Sequence, residues 1–251
     1  MKAEELRALI KRHFRPGIRT NCFAQPECED SMEAVETADG LMLFRHRGSH
    51  RIMSFWLAEL TLPELPEGVI AVEVPARPGR QDGEVLELLR NGGFRDVMGR
   101  VRLVRAPGDV EMLTAGDIAV RSIPPGETDR AWALLRASFD QYTGCVPTPD
   151  ELRADAGDGG VYGAFSDGAL VGVLRTKIFA GYSEIRHLAV REDMRGRRIA
   201  GALTAYHLHA TGGKRCFVWT GEDNTAALKN YGRLGFRPDG YTSRILIKGE
   251  K

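Results

Sequence analysis

The feature that most constrains this chain is a repeated change of hydrophobic period. Over residues 118–248, short runs that alternate apolar and polar side chains give way to runs spaced at three and four residues. The first pattern suits half-buried strands and the second suits amphipathic helices. IAVRSI reads as a strand, and GETDRAWALLRASF as a helix with Thr128 or Asp129 as its cap. GVYGAFSDGALVGVLRTKIF reads as a hairpin turning at Ser166-Asp167-Gly168, and YSEIRHLAV as a strand. RGRRIAGALTAYHLHATGG is a helix closed by Gly212 and Gly213, KRCFVWTG a strand, NTAALKNYGRLGF a helix stopped at Gly235, and YTSRILIKG the last strand. Strands alternating with helices imply an α/β sheet with helices on its faces.

The first half follows a shorter version of this order. Leu6, Leu9, Ile10 and Phe14 recur at helical spacing before Pro16 and Gly17. Two strands flank Arg47-Gly48-Ser49, GVIAVEVP is a third, DGEVLELLRNGGF a helix and VMGRVRLVR a further strand. The polar stretch APGDVEMLTAGD then reads as a linker, which sets a boundary near residue 113 and predicts domains 1–113 and 114–251. Leu88–Arg105 resembles Asn230–Lys248: each runs from a helix end through Gly-Phe-Arg and a turn into a strand. Aligning the two sets Leu89 opposite Tyr231 and Asp82 opposite Asn224. Between SFWLAEL and GVIAVEVP there is only TLPELPE, with no basic glycine loop and no room for a helix.

Charge narrows the partners. Residues 1–113 carry 16 Lys/Arg against 18 Asp/Glu, and residues 114–251 carry 19 against 16, so the whole chain stands at +1. Neither half offers a field that would gather nucleic acid or an anionic membrane. No run approaches 18 apolar residues, as a membrane span requires, and MKAEELRALIKRHF is amphipathic rather than signal-like. Cys22, Cys28, Cys145 and Cys216 include no C-x-x-C pair and no zinc spacing, so buried free thiols, no metal and a cytoplasmic location are expected. His13, His46, His50, His207 and His209 form no ligand set, and Trp56, Trp132 and Trp219 read as core.

The strand-to-helix junction VREDMRGRRIAGAL concentrates basic residues and glycines. The first turn of a helix leaves N–H groups without internal partners, and its dipole adds partial positive charge there. Phosphate binds to this arrangement in unrelated folds. Gly196 allows close approach of the backbone, and Arg195, Arg197 and Arg198 supply charge-assisted donors. No Gly-Lys-Ser/Thr follows, so it is not the nucleoside-triphosphate loop. A solvated basic turn is the alternative.

The spacing N-x-x-A-x-x-x-Y-x-x-x-G-F at Asn224, Ala227, Tyr231, Gly235 and Phe236, with LAV ending a strand and the loop beginning at Arg195, resembles the GNAT superfamily of acyl-CoA-dependent N-acyltransferases. The resemblance covers roughly residues 117–251. It implies a mixed, largely antiparallel sheet flanked by helices, preceded here by a smaller α/β domain that is either a reduced copy of the same fold or an unrelated scaffold. It implies acetyl-CoA as acyl donor, with the pyrophosphate on Arg195, Gly196, Arg197, Arg198, Ile199, Ala200 and Gly201. The pantetheine arm would lie on Leu188, Ala189 and Val190, with Asn224 and Tyr231 also at the donor. Arg198 stands where the family has glycine. If its φ is negative, as in a first helical turn, arginine fits, and an altered but working cradle is expected.

Within that resemblance, Tyr231 matches the acid that protonates the departing thiolate, and Glu184 a base that deprotonates the amine. His187 is a competing base, and Glu222 and Asp223 are further candidates for substrate contact. Strand parity puts Glu184, Arg186 and Leu188 on one face and Ile185, His187 and Ala189 on the other, unless a bulge intervenes. The expected activity is direct transfer of an acetyl group to a primary amine of a small molecule or peptide, by a monomer or homodimer. A non-catalytic acyl-CoA sensor on the same fold is the rival, and a nucleic-acid binder comes third.

Overall fold

The computed structural model describes residues 3–22, 32–79 and 83–249. They divide into two units: one runs to Arg100 and resumes at Gly240, the other is Val101–Asp239.

The first unit opens with α1 (Ala3–His13), whose Leu6 and Leu9 pack with Leu41, Leu43 and Trp56. Then come β1 (Arg19–Thr20), β2 (Met32–Thr37), β3 (Gly40–Arg47), β4 (His50–Leu57), β5 (Val69–Ala76), α2 (Gly83–Asn91) and the start of β6 (Arg95–Arg105), which from Val101 belongs to the second unit. β3 and β4 form the expected hairpin, Arg47 opposite His50. β4 and β5 pair in parallel although residues 58–68 between them hold no helix.

The second unit carries β7 (Ala119–Ser122), α3 (Thr128–Ser138), α4 (Pro149–Gly157), β8 (Val161–Ser166), β9 (Ala169–Ile178), β10 (Tyr182–Val190), α5 (Ile199–Ala210), β11 (Arg215–Gly221) and α6 (Thr225–Arg233). The last strand, β12 (Arg237–Lys248), begins in the second unit and from Gly240 belongs to the first. Strand order is β2-β3-β4-β5-β12 in the first unit and β6-β11-β10-β9-β8-β7 in the second. β7, β8, β9 and β10 are antiparallel neighbours, and β10 and β11 run parallel. Asp167 and Gly168 both take positive φ, 49° and 77°, the twist a two-residue hairpin needs between β8 and β9. One face of this sheet buries Ile185 and Val218 with Ile199, Leu203 and Leu208 of α5 and Tyr231 of α6. The other buries Val161, Val173 and Ala189 with Ala131 and Leu135 of α3 and Leu152 of α4.

Several expectations change. The contact boundary falls at Arg100/Val101 rather than near 113, because residues 106–117 are packed and not a free linker. Val110 and Ala115 join the core under α5, and the Gly108 N–H donates to Gly213 O at 3.0 Å. A Cβ on Gly213 would run into the Gly108 carbonyl, so that approach requires glycine. Neither Thr128 nor Asp129 caps α3: Glu127 holds the N-cap position with no side-chain bond, and the buried Thr128 hydroxyl donates to Pro125 O. Helix α4 was not expected, although Thr148-Pro149-Asp150-Glu151 builds a complete capping box with proline in the first turn. Cys145 is exposed rather than buried, whereas Cys216 is buried. Cys28 and Asp82 lie outside the described residues.

The two helix ends that looked alike in sequence have the same geometry. Phe94 N–H donates to Leu89 O at 3.0 Å and Gly93 N–H to Arg90 O at 3.0 Å. Phe236 N–H donates to Tyr231 O at 3.1 Å and Gly235 N–H to Gly232 O at 3.3 Å. Both glycines are left-handed, at 86° and 84°, and both phenylalanines are buried. These are paired Schellman caps in register, with Leu89 in the place of Tyr231.

Candidate active site

β10 and β11 pair from Tyr182/Arg215 to Ile185/Val218 and no further. β10 stays bonded to β9 as far as Val190/Gly172, so only its β11 side is left open. The parting starts at a register shift between Ile185 and His187, where Arg186 is the inserted residue. Such a bulge reverses side-chain parity beyond it. Leu188 and Val190 therefore pack with Ile185 on the α5 face, while His187 and Ala189 turn to the α3 face with Glu184. The regular alternation expected for this strand is corrected accordingly. Between the strands, backbone groups from Arg186 to Val190 face a wedge with no ladder partner.

The basic loop closes one end of that wedge. After a short turn at Glu192–Met194, Gly196 takes φ 79° and Arg198 takes φ 63°, ψ 12° as the N-cap of α5. The negative φ under which arginine would fit at 198 is thus not met: the backbone needs what glycine gives most readily, and arginine occupies it nonetheless. Alternating left-handed residues turn successive N–H groups inward, an anion-binding nest. Among the described residues, no protein acceptor meets the N–H groups of Gly196, Arg197, Arg198, Ile199, Ala200 and Gly201. The first α5 amide bonded to the loop is Ala202, which donates to Arg198 O at 3.1 Å. The Ile199 side chain is core, and Arg197 reaches Met194 Sδ at 3.3 Å and Asp117 at 3.5 Å. Arg195 is exposed.

Beside the loop lies a cavity of about 360 Å³ lined by Leu113, Thr114, Arg198, Gly201, Asn230, Arg233 and Leu234. It forms where α5 meets α6, since a Cβ on Gly201 would stand 3.5 Å from Asn230 Oδ1. The Asn230 Nδ2 is buried without a hydrogen-bond acceptor. Asn230 and Arg233 escaped sequence reasoning; their one signal was helical spacing on the Tyr231 helix.

Of the acid and base candidates, Tyr231 is buried, its ring edge-on to Phe236 at 5.3 Å. Burial, then the nearby Cys216, pushes its hydroxyl pKa well up, so the group stays protonated. Glu184 is partly exposed on β10, 3.2 Å from Arg186 and paired in register with Lys177. His187 is enclosed: its Nε2 lies 2.8 Å from Gly144 O, its Nδ1 3.5 Å from the Arg175 guanidinium, and its ring 4.9 Å from Phe139. A carbonyl acceptor on one side and a guanidinium donor on the other suit the tautomer that carries its proton on Nε2. Both of its ring nitrogens thus have protein partners. Asn224 caps α6, its Oδ1 accepting from Ala227 N–H at 3.0 Å. Glu222 and Asp223 are exposed before that helix. No group of three His, Cys, Asp or Glu among the described residues is placed to hold a metal ion.

Residues 129–236 match the model of the acetyltransferase (GNAT) family. A mycothiol acetyltransferase of Streptomyces avermitilis is 32% identical over 131 residues, 47% of this chain and 42% of that one. Another from Cellulomonas flavigena is 30% identical over 158 residues, 54% of this chain and 45% of that one. The match thus spans less than half the length of these relatives. Among solved structures, a GCN5-related N-acetyltransferase from Sphaerobacter thermophilus has the same fold, with TM-score 0.60 and 16% identity, over 84% of this chain and 80% of that one. A tandem GNAT protein from the clavulanic acid biosynthesis pathway aligns over 97% of this chain and 92% of its own, with TM-score 0.55 and 14% identity.

Proposed function

We propose, from the premise that residues 129–236 are a domain of the GNAT acetyltransferase family, that the protein moves an acetyl group from acetyl-CoA to a primary amine by direct transfer. The parting of β10 from β11 beside six unclaimed N–H groups carries this reading. An open strand edge accepts an amide-bearing arm, and a nest at a helix N-terminus accepts a pyrophosphate. Leu188 to Val190 would hold the first, Gly196 to Gly201 the second, with Arg195 and Arg198 nearby and Asn224 holding the start of α6. Relatives named for mycothiol favour a small-molecule acceptor over a peptide.

When bound, acetyl-CoA supplies an activated thioester, so the protein has to orient the amine, see two protons off its nitrogen and deliver one to the departing sulfur. Glu184, partly exposed on β10 just before the strands part, takes a proton from the incoming ammonium directly or through water. Tyr231, kept protonated by burial, gives its proton to the sulfur as the C–S bond breaks, and the second proton shed by the acylated nitrogen restores the phenol through water. No cysteine belongs to the loop or to the Tyr231 motif, in keeping with transfer that needs no acyl-enzyme. The matched caps at Phe94 and Phe236 support the first half as a reduced copy of the same fold that binds no CoA, with Leu89 in place of the acid. A cytoplasmic location belongs to the same proposal.

Thiol release from acetyl-CoA, followed across a panel of amines with wild type and Tyr231→Phe, tests the reading. Turnover with at least one amine is expected, with kcat in the variant down by roughly 100-fold or more. CoA binding without turnover on any amine would make the protein a sensor and sink the proposal.

A further inference from the structure

Two arginines line the cavity between α5 and α6, and no carboxylate does. Neither Arg198 nor Arg233 has an ion pair or hydrogen bond to its guanidinium among the described residues. Of the basic side chains around them, Arg191 pairs with Asp193 at 2.6 Å, Arg197 with Asp117 at 3.5 Å and Arg186 with Glu184 at 3.2 Å, while the exposed Arg195 is not part of the cavity lining. Two uncompensated cations on one concave surface raise the local potential and select an anion. The buried Asn230 Nδ2 adds a neutral donor that lacks an acceptor, a costly state unless a ligand provides one. Arg198 also holds a backbone conformation that disfavours its residue type, and strain of this kind persists mostly where a site uses it.

At about 360 Å³ the cavity stands at the small end of ligand pockets, so it suits one end of a long ligand. The neighbouring nest already offers uncharged N–H donors that suit a bridging pyrophosphate. Guanidinium forks better match a terminal phosphate monoester, which carries nearly two charges at neutral pH. Resting on the acetyl-CoA reading above, we infer that this cavity receives the 3′-phosphate of the donor's adenosine, clamped between Arg198 and Arg233, with Asn230 bonding the nucleoside or phosphate beside it. Arg233 and Asn230 thereby become binding residues, and the glycine-to-arginine change at Arg198 becomes a gain of a phosphate contact.

Titration calorimetry on the full chain with CoA and with dephospho-CoA, which lacks only that phosphate, separates the possibilities. Wild type should prefer CoA by about 10-fold or more. Arg233→Ala should weaken CoA by a similar factor while leaving dephospho-CoA near its wild-type affinity, so the preference collapses; Arg198→Gly should lower the ratio of the two affinities in the same sense. Thermal melting of both variants confirms that they are folded. Equal affinity of wild type for the two ligands overturns the inference. So does equal weakening of both ligands in the variants, which would move the arginines to the pyrophosphate. No binding of CoA at all would instead overturn the acetyl-CoA reading on which this rests.

Discussion

His207 Nε2 on α5 lies 3.0 Å from Ser183 Oγ on β10, and the histidine has no exposed surface. The Cys216 Sγ stands 4.0 Å from the same nitrogen, and Nδ1 has no hydrogen-bond partner. Nothing acidic appears among these neighbours, so burial alone pushes the imidazole pKa down to about 4.

A pH dependence follows. The folded chain resists a proton that the unfolded chain accepts near pH 6.5, so the stability owed to neutral His207 is complete above 6.5. It is lost as pH falls from about 6.5 to about 4, by roughly 3 kcal/mol in full at about 1.4 kcal/mol per pH unit. Urea midpoints measured across that range should fall more steeply for wild type than for His207→Gln. Parallel curves would show that His207 contributes nothing to acid sensitivity.

Arg198 makes the opposite kind of prediction. At φ 63° a non-glycine residue loses about 1 kcal/mol or somewhat more relative to glycine. Arg198→Gly should therefore raise stability by up to about 1 kcal/mol, less the greater freedom of glycine in the unfolded chain. Gly196→Ala, at φ 79° with nothing near its added Cβ, should lower it by a similar amount. A destabilised Arg198→Gly would mean that the arginine side chain holds the loop together.

Asp155 is 1% exposed and pairs with Arg175 at 2.5 Å and Lys177 at 2.6 Å. Asp155→Asn leaves a nearly buried guanidinium facing a neutral amide. Chemical denaturation should register a loss of roughly 3–5 kcal/mol. The double variant Asp155→Asn/Arg175→Met should recover part of that loss; a double variant no better than the single one contradicts this account.

The base is assigned by comparing two glutamine variants. His187→Gln should cost stability and leave the acidic limb of kcat/KM where it is, because that imidazole is already committed to Gly144 O and Arg175. Glu184→Gln should erase the acidic limb and slow transfer by about 100-fold. The reverse pattern would return the role to His187.

How far these features were legible in the sequence depends on their range. The turn at Asp167-Gly168 and the paired caps at Phe94 and Phe236 were readable, since each rests on a glycine and its immediate neighbours. The capping box at Thr148 and Glu151 is equally local, but the apolar spacing after it is too weak to mark a helix. The bulge at Arg186 left no mark, as an inserted residue only shows once a partner strand supplies the register. The left-handed turn at Arg198 is likewise set by the path from β10 into α5, against the preference of the residue itself. The cavity needed α5 and α6 side by side, a meeting of Gly201 and Asn230 that no local spacing reveals.

One consequence concerns the order in which the chain can finish folding. β12 pairs with β5 from Thr242/Ala76 to Lys248/Ile70, its Ser243 hydroxyl donates to Glu73 at 2.5 Å, and its Leu246 is fully enclosed in the core of the first unit. That strand is synthesised only after the whole of the second unit. On the ribosome, the first unit therefore waits with an open strand edge and an unfilled core until the second has been made.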